Sequence, residues 1–130
     1  MSTVYKTYRA NQIQGEPRID LLLRLYREVI ARVREARRLQ LIDSNAAQVL
    51  PLCLRAVELV QGIKSALDPN YGDVPKNVSR LCDFVAQQLL QPTPERLASC
   101  DSVLTTLLEG YEGVREDAIV FERQHMHESA

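Results

Sequence analysis

Residues 97–121 read LASCDSVLTTLLEGYEGVREDAIVF. Apolar side chains recur at Leu97, Cys100, Leu104, Leu107, Tyr111, Val114, Ala118 and Phe121, in steps of three and four. At about 3.6 residues per turn these steps stack into one stripe, so the spacing predicts a long amphipathic helix that needs a covering partner. Gly110 and Gly113 flank Tyr111 inside it. Each costs about 1 kcal/mol relative to alanine in a helix. That asks for a reason such as close helix approach or room for a ligand, and plain packing is the simpler one. Upstream, Thr93 suits a helix cap, with Pro94 at the first helical position and Glu95 in the first turn. Downstream, 122–130 reads as a polar, fraying tail.

Three further segments carry helical periodicity, and none alternates at period two. A first main helix over about 17–40 bears a seam of Leu22, Tyr26, Val29, Val33 and Ala36, widened by Ile19, Leu23 and Ile30. Leu21 and Leu25 form a second apolar strip on its first half. Arg24, Arg27, Arg34 and Arg38 alternate with Glu28 and Glu35 on the opposite side, which reads as a solvated face. Asp43-Ser44-Asn45 closes this helix. A second helix carries Cys53, Ala56, Val60, Ile63 and Leu67. Pro51 marks either its start or a kink after a separate turn at 46–50. Asp68-Pro69-Asn70-Tyr71-Gly72 is a break. A third helix begins near 73–75 and shows Val78, Leu81, Cys82, Val85 and Leu89, until Gln91-Pro92 stops it. Before all of these, 1–15 contains Tyr5, Tyr8 and Ile13 at a spacing that suits a short helical strap, ended by Gly15.

Connections of roughly 4–8 residues favour antiparallel neighbours. The expected fold is all-α: an antiparallel up-down four-helix bundle with a short N-terminal helical strap, in one domain over residues 1–130. The third helix is shorter than the first and fourth. Part of their stripes must then be covered by the strap, by a second copy or by a bound segment.

Composition narrows the function classes. A net charge of -1 gives no global attraction to nucleic acid or to an anionic membrane. No apolar run is long enough for membrane insertion, and the N-terminus lacks a signal-peptide core, which places the protein in the cytoplasm. Cys53, Cys82 and Cys100 fall on apolar stripes and read as small reduced core residues. A carboxylate-bridged di-metal site needs two Glu-x-x-His pairs. The single match, Glu122 to His125, leaves half the site missing, and His125-Met126-His127 reads as solvated tail. With no phosphate loop, zinc pattern or nucleophile elbow either, the sequence points to a non-enzymatic protein without a cofactor.

The run Tyr8-x-x-Asn11-x-Ile13, then Leu21-x-x-x-Leu25-Tyr26, Ile30 and Ala36, resembles the opening of the flagellar export chaperone family FliS. The likeness continues through Arg55-Ala56, Ile63, Leu67-Asp68, Gly72, Asn77-Val78, Leu81 and Asp83-Phe84, in the family's order and spacing. Three departures mark a divergent member. The usual Leu-Tyr-Asp-Gly is Leu25-Tyr26-Arg27-Glu28, Gln91-Pro92 replaces an Ala-Asn pair, and Tyr111 stands for a tryptophan. The resemblance implies a cytoplasmic bundle that binds the disordered, amphipathic C-terminal segment of flagellin. It would hold that segment unpolymerised and aid its delivery to the flagellar type III export apparatus, with no cofactor. It further implies Tyr5, Tyr8 and Ile13 as anchors of the strap. Leu21, Leu25 and Tyr26 become groove candidates on the first helix, and Asn77, Leu81 and Phe84 on the third. The alternative is a helical adaptor, or a weak homodimer paired through its uncovered stripe.

Overall fold

The computed structural model describes residues 16–67 and 72–129, with side chains described through residue 125. The strap expected over 1–15, with Tyr5, Tyr8 and Ile13, lies outside the described residues. Among those described there are five α-helices and no strand. They are α1 (Arg18–Ile42), α2 (Val49–Ser65), α3 (Asp73–Leu90), α4 (Pro94–Gly113) and α5 (Arg115–Ser129). None is long and apolar enough to cross a membrane.

Local chemistry explains most of the boundaries. Thr93 caps α4: its side-chain oxygen accepts from the Arg96 backbone N–H at 3.1 Å, with Pro94 at the first position. Pro51 does not separate two pieces. It is the third residue of α2, where a missing N–H breaks no intrahelical bond. Asp43 ends α1 and accepts from the Asn45 backbone N–H at 3.0 Å, a local turn that competes with further helix. Gly72 precedes α3 at φ 100° and ψ -156°, a region open essentially to glycine alone.

The helices α1 to α4 form a closed ring: α1 packs on α2, α2 on α3, α3 on α4, and α4 back on α1. Their shared core is built from the predicted stripes. It holds Tyr26, Val29, Val33 and Ala36 of α1; Cys53, Ala56, Val60 and Ile63 of α2; Val78, Cys82, Val85 and Leu89 of α3; and Leu97, Cys100 and Leu104 of α4. The arginine face of α1 is more than a solvated surface. Arg27 pairs with Glu112 at 2.9 Å, Arg34 with Asp101 at 2.9 Å, and Gln40 donates to the Pro92 carbonyl at 2.9 Å. Numbers rising along α1 meet numbers falling along α4, so these two helices run antiparallel. Exposed pairs such as Arg27–Glu112 contribute about 0–1 kcal/mol each. Burial of one large apolar side chain contributes about 1.5–3 kcal/mol. The pairs therefore set register while the core supplies stability.

The single long helix expected over 97–121 is a correction. It breaks at Val114, and a separate helix follows through Ser129, where a fraying polar tail was expected. Gly110 and Gly113 lower helix propensity just before the break, and Glu116 and Asp117 favour a new helix N-terminus just after it. Nor do the two glycines serve close packing, because a Cβ built at either would meet nothing within 4 Å. The break rotates the stripe, leaving Val114 and Phe121 exposed and burying Ile119 instead. α5 lies against α1 and α4.

All three cysteines are buried and free. Burial pushes the Cys82 thiol up to about 11 and the Cys100 thiol to about 12, and raises that of Cys53. A thiol reagent is therefore expected to label none of them at neutral pH in the folded chain and all of them in denaturant. Labelling of the native protein would contradict this packing. The glycines give a second test, read by denaturant unfolding. Gly110→Ala is expected to stabilise by about 0.5–1 kcal/mol, because alanine fits an exposed helical position with open space. Gly72→Ala is expected to destabilise by about 1–3 kcal/mol, because its backbone conformation excludes a Cβ.

Candidate functional site

Large apolar side chains stand exposed on this surface, among them Leu81 and Phe84 of α3, and they make it a candidate binding surface. α3 is amphipathic in an informative way. Val78, Cys82, Val85 and Leu89 face the core, while Asn77, Leu81 and Phe84, spaced by four and three, share the outer side. Leu81 is 38% and Phe84 41% exposed. Asp83, next to Phe84, pairs with Lys64 of α2 at 2.7 Å and ties this face to its neighbour.

The first-helix candidates lie elsewhere. Leu21, Leu25 and Tyr26 are all buried. Leu25 and Tyr26 belong to the main core. The Tyr26 ring stacks on that of Tyr111 with centroids 5.5 Å apart. Its hydroxyl is buried without a hydrogen-bond partner among the described residues. Desolvation, and then the neighbouring Tyr111, pushes its ionisation far above the usual phenol range, so Tyr26 is neutral at any working pH. The structure thus brings Leu25 and Tyr26 together inside and leaves Asn77, Leu81 and Phe84 outside.

Two features escape the sequence reading. One is a groove of about 520 Å³ where the end of α1 meets the start of α2, floored by Leu39, Ala47, Pro51 and Leu52 and edged by Glu35 and Arg55. Leu39 and Leu52 stand at the margins of the main stripes, which was the available signal. The other is a second small core of Ile19, Leu23 and Ile119, against which Leu22, Leu108, Tyr111 and Ala118 pack. Here α5 covers the first half of α1. Arg115 fastens it with two bonds to Asp20, at 2.6 and 2.9 Å, and the Arg18 backbone N–H donates to Glu122 at 3.1 Å.

Among the described residues, no group of three or more metal-ligating side chains comes together. Residues 1–118 match the family model described as Flagellar protein FliS. The chain belongs to the FliS family. FliS proteins are flagellar export chaperones for flagellin. Comparison with curated proteins and with solved structures returned no match.

Hydrogen bonds from Arg115 hold the Asp20 carboxyl below its ordinary value of 3.8, outweighing a smaller upward push from desolvation. Its contribution to stability is therefore complete above the unfolded value and disappears as pH falls through the lower, folded one. Asp20→Asn is expected to lower the melting temperature at pH 7, and the difference from the parent chain is expected to vanish in strong acid, where Asp20 is protonated. A difference that persists unchanged once Asp20 is protonated would remove the ion pair as its cause.

Proposed function

We propose that this FliS-family chain keeps its α1–α4 ring in up-down order and holds the C-terminal segment of flagellin on its apolar surfaces in the cytoplasm. It thereby prevents premature polymerisation and presents the segment to the export machinery. The observation that supports this best is the outer face of α3, where Leu81 and Phe84 stand solvent-exposed beside Asn77 on a member of a flagellin chaperone family. An amphipathic segment that is disordered alone can lay its apolar side chains there in helix-in-groove fashion. Ordering the segment costs about 2–5 kcal/mol, so a single patch is too little and a contact that wraps several surfaces is needed. The groove between α1 and α2 offers a second such surface. Leu21, Leu25 and Tyr26 would shape the bundle from beneath, and Tyr5, Tyr8 and Ile13 would anchor the strap beside the guest.

Titration calorimetry with a synthetic peptide of the flagellin C-terminal segment tests this. The expected result is a 1:1 complex with a negative heat-capacity change, because apolar surface leaves water. Phe84→Asp is expected to weaken binding about tenfold or more while leaving the melting temperature nearly unchanged, since the side chain is half exposed. Absence of both heat and co-elution would sink the reading. Dimerisation of the parent chain that Phe84→Asp abolishes would favour the homodimeric alternative instead.

A further inference from the structure

We propose that α5 is a built-in occupant of a helix-docking groove on α1 and α4, and that the flagellin segment binds there by displacing it. The inference rests on the flagellin reading and adds a self-occluded site to it. The groove is floored by Ile19, Leu22 and Leu23 of α1 with Leu108 and Tyr111 of α4. That it accepts a helix is evident, since α5 lies in it. Among its described residues α5 buries little apolar surface. Ile119 is the one side chain it buries among its described residues, Ala118 is half-buried, and Val120 and Phe121 stand 51% and 49% exposed. Two polar, partly exposed contacts among the described residues also fasten it: the Arg115–Asp20 pair and the bond from the Arg18 backbone to Glu122.

A guest helix with anchors at i, i+3, i+4 and i+7 buries more apolar surface in this groove than Ile119 alone, and so wins the exchange. The joint permits it. α4 ends at Gly113, the chain turns at Val114, and Gly110 and Gly113 lower helix propensity there, so the two helices are joined at a weak point. The family match stops at residue 118, which places Ile119 and Glu122 beyond it. Occlusion reduces apparent affinity by the fraction of molecules with the groove open.

The test uses the full chain and two variants, Ile119→Glu and Arg115→Gln, which loosen α5 without altering the groove floor. Each is titrated with the flagellin C-terminal peptide, and hydrogen exchange is followed on the parent chain. Both variants are expected to bind roughly tenfold tighter, the gain that follows when an occluded site is freed. In the parent chain, peptide is expected to speed exchange over 116–125 and slow it over 19–23. Equal or weaker binding by the variants, with binding by the parent intact, overturns the displacement alone. So does added protection of α5, which would make it a wall of the site. Should a variant fail to fold, the exchange pattern of the parent chain decides. If neither parent nor variant binds the peptide, the flagellin reading falls and this inference with it.

Discussion

The burden of the structure falls on α1, which is apolar on more than one side and cannot be covered by any single neighbour. Its seam of Tyr26, Val29, Val33 and Ala36 is fully or almost fully buried, and Ile19, Leu21 and Leu23 are buried as well. Three helices are recruited to do this, with α2, α4 and α5 all packing against it. α3 closes the ring without touching α1 extensively, by packing on α2 and α4. Each large side chain so buried contributes about 1.5–3 kcal/mol, which outweighs what an exposed ion pair such as Arg34–Asp101 supplies. Apolar packing holds the fold, and charges align it.

The same constraint shapes what the molecule can bind. A helix that needs three covers depends on its weakest one, and α5 buries little. α3, covered on one side only, keeps Leu81 and Phe84 partly at the surface, where an isolated monomer leaves some of their apolar area in water. On the proposed function such surfaces have a use, because an amphipathic guest that is unstructured until bound can lay its apolar side chains on them. The neutral, buried Tyr26 and the raised thiols of Cys82 and Cys100 fit an interior that stays dry and unreactive.

Much of the fold was legible in the chain itself because caps and stripes act locally. Thr93-Pro94-Glu95 marks the start of α4, and the stripes of α1 to α3 name the core residues. Leu81 and Phe84 were legible as site candidates through the family resemblance. Their exposure was not, since Leu81 sits at the same helical spacing as core residues. Leu25 and Tyr26 illustrate the converse: they match the family motif yet lie inside, where motif and core packing cannot be separated by spacing. The break at Val114 was hidden because apolar residues kept their three-and-four rhythm across it. Periodicity records which residues would share a face if the helix continued, and is silent on whether it does.

The sequence by itself determined the all-helical class, most helix boundaries, the main core and the family, because each depends on local propensity or on an ordered pattern of residues. Only the tertiary structure decided which stripes meet. It turned the arginine face of α1 into a rail for α4, opened a groove between Leu39 and Leu52, and laid α5 over Ile19 and Leu23. Those outcomes rest on contacts between residues up to about a hundred positions apart, as in Asp20 and Arg115. A helical stripe declares that it must be covered. What covers it is settled by competition among all the surfaces available once the chain has folded.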